Sequence, residues 1–299
     1  MEKLCNICPR KCNINRETSV GFCKATNKPK ISKVMLHYFE EPPISGMGIN
    51  DKGSGTIFFS SCTLKCIYCQ NYEISTSCEG KEITTETLAD LFKQLENAGA
   101  NNINLVTPTH YTKEIIDALN IYRPNIPIVW NTSGYELPET IEMLKNYVDI
   151  YLTDFKYFSG DLSGKYSLTK DYFENCSKSI LKMRENQPED VFENGIMKKG
   201  IIVRHLVLPT CSSDSLNVID WIYNNLGNKT CVSLMSQYVP MGNAEKYPEI
   251  NQKIKPLEYK ILANKLNSLG FTNVFLQDFS SASTEFTPDF AENKSNFTY

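Results

Sequence analysis

Leu88, Leu91, Phe92 and Leu95 recur at i, i+3, i+4 and i+7. Behind Thr84 and Thr85 and ahead of Gly99, that spacing predicts a helix with one buried face, a capping hydroxyl at its start and a stop signal at its end. The flanking runs Thr56-Ile57-Phe58-Phe59 and Ile103-Asn104-Leu105-Val106 are short and mostly apolar. They read as strands buried on both faces rather than strands with one wet side. The alternation continues with a helix near 113–121, a strand at 128–130, a helix near 138–147, a strand at 148–153, a helix near 170–187 and a strand at 201–206. Leu216, Ile219, Tyr223 and Leu226 then line a helix, 232–235 forms a strand, and Leu262, Leu266 and Leu269 line a last helix before 273–276. Repeated βα units imply a parallel sheet carrying helices. Six firm strands and a seventh near 274 favour an α/β partial (β/α)6 TIM-type barrel, with a doubly wound sheet as the alternative. In both architectures the C-terminal strand ends carry the chemistry.

The pattern is weaker at the two ends. Residues 1–34 hold eight Lys or Arg against Glu2 and Glu17, with little apolar periodicity, and 41–55 hold two prolines and four glycines. The expected organisation is a cysteine-rich metal-binding appendage over 1–40, a barrel over 41–279 and a C-terminal tail over 280–299. Within the tail, Thr284 to Phe290 alternates apolar and polar residues and is expected to pack over a barrel opening.

Composition adds one unusual feature. The 299 residues are 41% hydrophobic and 22% charged, with 31 Lys and Arg against 34 Asp and Glu, for a net charge of −3. Such a chain can bury a core, and its charge points to neither nucleic acid nor membrane. The feature is cysteine, with 11 residues. An odd number in a chain this long argues against a disulfide framework. With no apolar leader and no membrane-length apolar run, a cytoplasmic, monomeric protein is expected.

Seven of the cysteines form two groups. Cys62, Cys66 and Cys69 follow the first strand as C-x3-C-x2-C. Three thiolates on one loop can each hold one iron of a [4Fe-4S] cube and leave the fourth iron without a protein ligand. A zinc loop completed by Cys78 is the alternative. Cys5, Cys8, Cys12 and Cys23 lie within nineteen residues. Four soft ligands suit a structural zinc, which is favoured, or an auxiliary Fe-S cluster, and the nearby cations are read as compensating the thiolates. Cys176, Cys211 and Cys231 read as buried small hydrophobes, and His110 and His205 as packing histidines.

The array Cys62-Cys66-Cys69, with Tyr68 before its last cysteine and Gln70-Asn71 after it, resembles the signature of the radical S-adenosylmethionine (SAM) enzymes. The string from Glu40-Glu41-Pro42-Pro43 to Asn71 resembles the branch of the pyruvate formate-lyase activating enzyme, and within it the relatives with an extra cysteine-rich N-terminus. The resemblance implies that SAM chelates the open iron and meets successive strand tips, with Tyr68 packing on the adenine and Asn71 among the cofactor-binding residues. Thr107 and Thr109 stand where the family has Gly-Gly-Glu, which receives the SAM ammonium. Asn131-Thr132 and Asp154-x-Lys156 resemble the tips that meet at a monovalent cation, Asn131 replacing a carboxylate. Arg204 matches an arginine that pairs with the SAM carboxylate, and Gln237 is the polar candidate near the adenosine.

The implied activity is reductive cleavage of SAM to a 5′-deoxyadenosyl radical that abstracts hydrogen from a glycyl radical enzyme or another polypeptide. Flavodoxin or ferredoxin would be the electron donor. Radical modification of an unrelated small molecule or peptide is one alternative, and a non-catalytic Fe-S electron carrier or interaction protein is another.

Overall fold

A computed structural model describes residues 4–47, 51–279, 288, 290 and 297–299. In chain order its elements are β1 (Lys30–His37), α1 (Pro42–Ser45), β2 (Ser54–Phe59), α2 (Tyr72–Ser75), β3 (Lys81–Glu82), α3 (Thr85–Asn97), β4 (Ile103–Val106), α4 (Thr112–Ile121), β5 (Ile128–Thr132), α5 (Pro138–Met143) and β6 (Ile150–Asp154). There follow α6 (Gly160–Ser167), α7 (Tyr172–Asn186), β7 (Val191–Glu193), β8 (Ile196–Leu206), α8 (Ser212–Leu226), β9 (Cys231–Met235), α9 (Pro256–Ser268) and β10 (Val274–Leu276).

The local signals read from the chain are physically realised. Thr84 Oγ accepts from the Thr87 amide and opens α3, and Leu88, Leu91, Phe92 and Leu95 are all fully buried. Gly99 follows with φ +81°, a conformation that costs glycine little and ends the helix.

Strands β2, β4, β5, β6, β8, β9 and β10 pair in parallel and lie in the sheet in the same order as in the chain. A doubly wound sheet reverses its order partway, whereas a monotonic order steps always the same way and curls the sheet into an open barrel. The fold is therefore a largely parallel partial TIM-type barrel.

Alternation along the strands divides two apolar sets. Trp130, Tyr151, Ile201, Val203, Val232 and Leu234 join the helix faces in the large outer core. Val129, Ile150, Leu152, Ile202 and Cys231 face the other way, into the barrel, and pack there with Met197 and Ile44. Ile44 comes from α1, whose carbonyls accept from Asn101 and Asn102 just before β4. The short helix thus plugs the barrel at the N-terminal ends of its strands.

Some elements escaped the apolar pattern. Residues 30–37, grouped with the appendage on sequence, form β1, which pairs antiparallel with β2 and extends the main sheet. Helix α6 and the hairpin of β7 with the start of β8 were also unforeseen; β7 is exposed throughout, so it carries no apolar signal. Of the tail stretch, 284–287 and 289 lie outside the described residues. The Phe290 ring stands 5.4 Å from that of Phe58. Among the described residues no helix is long and apolar enough to cross a membrane.

Candidate active site

The strand parity that faces Val129, Leu152, Ile202 and Cys231 inward also carries Asn131, Asp154, Arg204 and Ser233, two residues further along. All four line a central cavity of about 720 Å³. Cys62, Cys66, Cys69, Tyr68, Asn71, Thr107, Thr132, Lys156 and Gln237 line it too. Of the residues named from sequence, Thr109 lies apart from this wall: its hydroxyl donates to Glu136 Oε1 at 2.7 Å.

The cysteine loop is held by backbone that glycine would normally supply. Ser61 and Lys65 have φ of +81° and +56°, strained positions of the kind that collect at functional sites. Cys62 and Cys66 are buried and Cys69 is half-buried. Ser167 Oγ donates to Cys66 Sγ at 2.9 Å, the Leu64 amide to Cys62 Sγ at 3.4 Å and Ser75 Oγ to Cys69 Sγ at 3.4 Å. Donors to sulfur suit an anionic ligand. Burial pushes the Cys66 thiol up to about 12 and raises Cys69 as well. These thiols therefore ionise when a metal cation supplies the compensating charge. Among the described residues no three His, Cys, Asp or Glu side chains gather around a position for one metal ion. Three thiolates that hold three different irons do not need to.

Further polar groups connect to this loop. The Tyr68 hydroxyl bonds that of Tyr157 at 2.6 Å, and Tyr157 bonds Ser167 Oγ at 2.8 Å, so a hydrogen-bonded chain reaches Cys66. Asn71 Oδ1 is buried without a partner, an acceptor left over for a bound molecule. The fit to a cluster and an amino-acid-bearing cofactor rests on these features.

Across the cavity, charges interlock. Arg204 donates from Nε to Asp154 Oδ1 at 2.8 Å, from NH2 to Asn131 Oδ1 at 2.6 Å and from NH1 to Glu40 Oε2 at 3.3 Å. Lys156 Nζ donates to Asp154 Oδ2 at 2.6 Å. Burial works against the Asp154 carboxylate, yet Arg204 and Lys156 hold its pKa below the usual range. The guanidinium thus already bridges Asn131 and Asp154, the pair that the resemblance joins through a monovalent cation. Gly134 allows the two tips to meet: its φ is +78°, and a Cβ there would lie 2.3 Å from the Asp154 carbonyl.

Three acidic groups were missed on sequence. Glu40 and Glu41 enter the cavity from the loop before α1, and Glu41 Oε2 lies 3.7 Å from Arg204 NH1. Their only signal was the run Glu-Glu-Pro-Pro, to which no role was attached. Glu136 is fully buried behind β5 and accepts from Thr132, Trp130 and Thr109. Thr132 Oγ1 is therefore committed to Glu136 although Thr132 lines the cavity.

The packing histidines are held by the fold, although His110 Nδ1 is buried without a hydrogen-bond partner. His205 Nδ1 donates to the Phe155 carbonyl at 2.6 Å and its Nε2 accepts from Ser215 Oγ at 2.8 Å. His110 Nε2 donates to the Ser60 carbonyl at 2.7 Å, and burial lowers its pKa to about 3.

Cys5, Cys8, Cys12 and Cys23 line a separate void of about 10 Å³ with Arg16 and His110. Burial raises Cys8 to about 12 and raises Cys23. Of the cations read as compensating these thiols, Arg16 lies beside them and its charge lowers the Cys23 pKa against burial, while both arginines also bond backbone carbonyls. Arg10 donates to the carbonyls of Thr63, Leu168 and Ser167 at 2.9, 2.8 and 3.3 Å and stacks 3.8 Å from the Phe22 ring. Arg16 donates to the carbonyls of His110 and Thr26.

Comparison with known proteins places this geometry. The sequence profile of the Radical SAM superfamily matches residues 56–201. An uncharacterized protein of Methanocaldococcus jannaschii is 32% identical over 264 residues, covering 84% of this chain and 71% of that protein. The pyruvate formate-lyase-activating enzyme of Clostridium pasteurianum is 28% identical over 237 residues, covering 73% of this chain and 87% of that enzyme. Among solved structures, Streptococcus suis SuiB bound to the precursor peptide SuiA superposes with a TM-score of 0.50 at 13% identity. The match covers 74% of this chain, which spans 48% of the SuiB chain, and it speaks to the fold alone.

Proposed function

The chain belongs to the radical SAM superfamily, and from that premise we propose that it cleaves SAM reductively and uses the resulting radical to take a hydrogen atom from a polypeptide. Superfamily membership supports the first half. The second half draws on the likeness to the Clostridium pasteurianum activating enzyme, a distant one. When bound, a [4Fe-4S] cluster and SAM supply the electron transfer and the 5′-deoxyadenosyl radical.

The protein's own residues bind and shield. Cys62, Cys66 and Cys69 hold three irons, and Ser167, Ser75 and the Leu64 amide donate to their sulfurs. Tyr68 and Gln237 border the adenosine, Asn71 and Thr107 take polar groups of SAM, and Arg204 and Lys156 place positive charge beside its carboxylate. The observation that carries this reading is the single cavity joining three thiols to the tips of β4, β5, β6, β8 and β9. Flavodoxin or ferredoxin is the proposed reductant, and one structural zinc the proposed occupant of Cys5, Cys8, Cys12 and Cys23, whose thiols line one void but are not gathered at a single metal position and would have to close on the ion.

Anaerobic reconstitution tests the core of this. About four irons per chain at the barrel, a brown chromophore and 5′-deoxyadenosine from SAM under reducing conditions are expected. Full SAM cleavage by the Cys62→Ala, Cys66→Ala and Cys69→Ala proteins would end the assignment. For the appendage, aerobically purified protein should carry about one zinc per chain. About eight irons after reconstitution, with cleavage lost when Cys8 and Cys12 are replaced, would mean a second cluster instead.

A further inference from the structure

The cavity changes character from one end to the other. Its charged wall starts beside Cys66, on which the Lys156 ammonium acts electrostatically, and runs by ion pairs from Lys156 to Asp154, from Asp154 to Arg204, and from Arg204 to Glu40 and Glu41. The glutamates immediately precede α1, the plug at the N-terminal strand ends. They form a floor opposite the cysteine loop, which follows the C-terminal end of β2.

Three carboxylates on this wall, Asp154, Glu40 and Glu41, face two cations, Lys156 and Arg204. Both cations are already engaged: Lys156 Nζ sits on Asp154, and Arg204 approaches Glu41 no closer than 3.7 Å, beyond hydrogen-bond length. Glu41 Oε2 accordingly has no hydrogen-bond partner. Nor does His37 Nδ1, on the same wall. Glu41 is 6% exposed and His37 7%. Leaving such atoms buried and unpaired costs free energy that a ligand can recover.

We propose that this floor is a subsite for a cationic nitrogen group of the substrate, a primary ammonium, with Glu41 as its charge partner and His37 Nδ1 as a second acceptor. An anionic group would meet three acidic side chains set against two engaged cations, and a neutral one would leave Glu41 holding its proton; a cation gives the Glu41 carboxylate a charge partner. Burial lowers His37 to about 4, so His37 stays neutral near pH 7, and raises Glu41 to about 7, so Glu41 is held partly protonated until an arriving cation stabilises its carboxylate. The subsite rests on the reading of this cavity as the place where SAM and substrate meet, and it adds what the far end of the substrate must look like.

Ligand-observed NMR on the reconstituted protein tests it, with butylammonium, 1-butanol and butyrate as probes and 5′-deoxyadenosine formation measured on the same preparation. Butylammonium should bind about tenfold more tightly than 1-butanol, the scale of a charge-assisted hydrogen bond. Butyrate should not bind detectably once SAM fills the carboxylate position beside Arg204 and Lys156. Glu41→Gln should erase the preference for the amine and Glu41→Asp should keep part of it. The ranking of probes on the unaltered protein decides the matter even if Glu41→Gln folds poorly. Equal binding of amine and alcohol, or a preference that survives Glu41→Gln in a folded protein, overturns the subsite. Displacement of butylammonium by SAM also overturns it, because the cation position would then be the cofactor's. A preparation that cleaves SAM but shows no amine preference sinks the subsite alone, whereas absent cleavage beside a clear amine preference sinks the wider reading instead.

Discussion

The two cysteine groups spend their neighbouring cations differently. In the barrel, Arg204 and Lys156 face Asp154, Glu40 and Glu41, so positive charge balances carboxylates inside a large cavity. In the N-terminal segment, Arg10 and Arg16 bond backbone carbonyls of Thr63, Ser167, Leu168 and His110, and the charge of Arg16 also lowers the Cys23 pKa against burial. Thr63 belongs to the cysteine loop and Ser167 donates to Cys66. The four-cysteine segment is therefore clamped onto the wall of the candidate active site. A basic stretch beside thiols foretells the charge that Arg16 brings to Cys23 but not the hydrogen bonds; a guanidinium with five donors takes whatever acceptors the fold presents.

The sharpest break between the regions is chemical. Cys66→Ala should lower 5′-deoxyadenosine formation by a factor on the order of 100 or more, since the cluster loses a ligand. Cys8→Ala should leave measurable cleavage. Equal losses, compared by chromatography of the product on equally reconstituted proteins, would make the segments one functional unit.

Next comes Arg204→Met, which leaves buried carboxylates without their cation. The expected cost is about 3–5 kcal/mol in denaturant unfolding, with weaker SAM binding. His110→Gln, a change at a packing residue, should cost about 1 kcal/mol or less. A reversal of that order in titration and unfolding would place His110, and not Arg204, against the cofactor.

The clamp is tested by Arg10→Ala. Losing its carbonyl bonds should cost about 1–3 kcal/mol and should speed limited proteolysis of the N-terminal segment. Unchanged proteolysis would show that Thr140, whose hydroxyl bonds the Ile7 carbonyl, and the Arg16 contacts suffice.

The smallest effect is in the pH profile. Glu41 keeps its proton in the folded state up to about 7, above the 4.5 of the unfolded chain. Between those values the folded state binds more protons, so this group makes stability fall as pH rises. His37, lowered from 6.5 to about 4, acts oppositely and makes stability rise over that interval. The two partly cancel in the unaltered protein. Glu41→Gln should expose the histidine slope, seen as melting temperatures that climb more steeply from pH 4.5 to 6.5. An unchanged slope would mean that Glu41 is ionised throughout.

Local patterns made much of the protein legible. The 3.6-residue spacing behind Thr84, the apolar strand runs and the C-x3-C-x2-C array act over a few residues, and their physics does not depend on the rest of the chain. They fixed the βα alternation, the partial barrel and the candidate cluster loop. What stayed hidden depends on distant partners. A strand buried on both faces looks alike on each side, so nothing in Ile128 to Thr132 told which residues face the lumen until Ile44 was seen packing there with Val129. Glu40 and Arg204 lie 164 positions apart and meet only because α1 plugs a barrel that β8 helps to close. Sequence alone determined the elements and the residues able to carry iron; tertiary structure decided which charges share one cavity, because the energy of a buried charge is set by its neighbours in space and not by those along the chain.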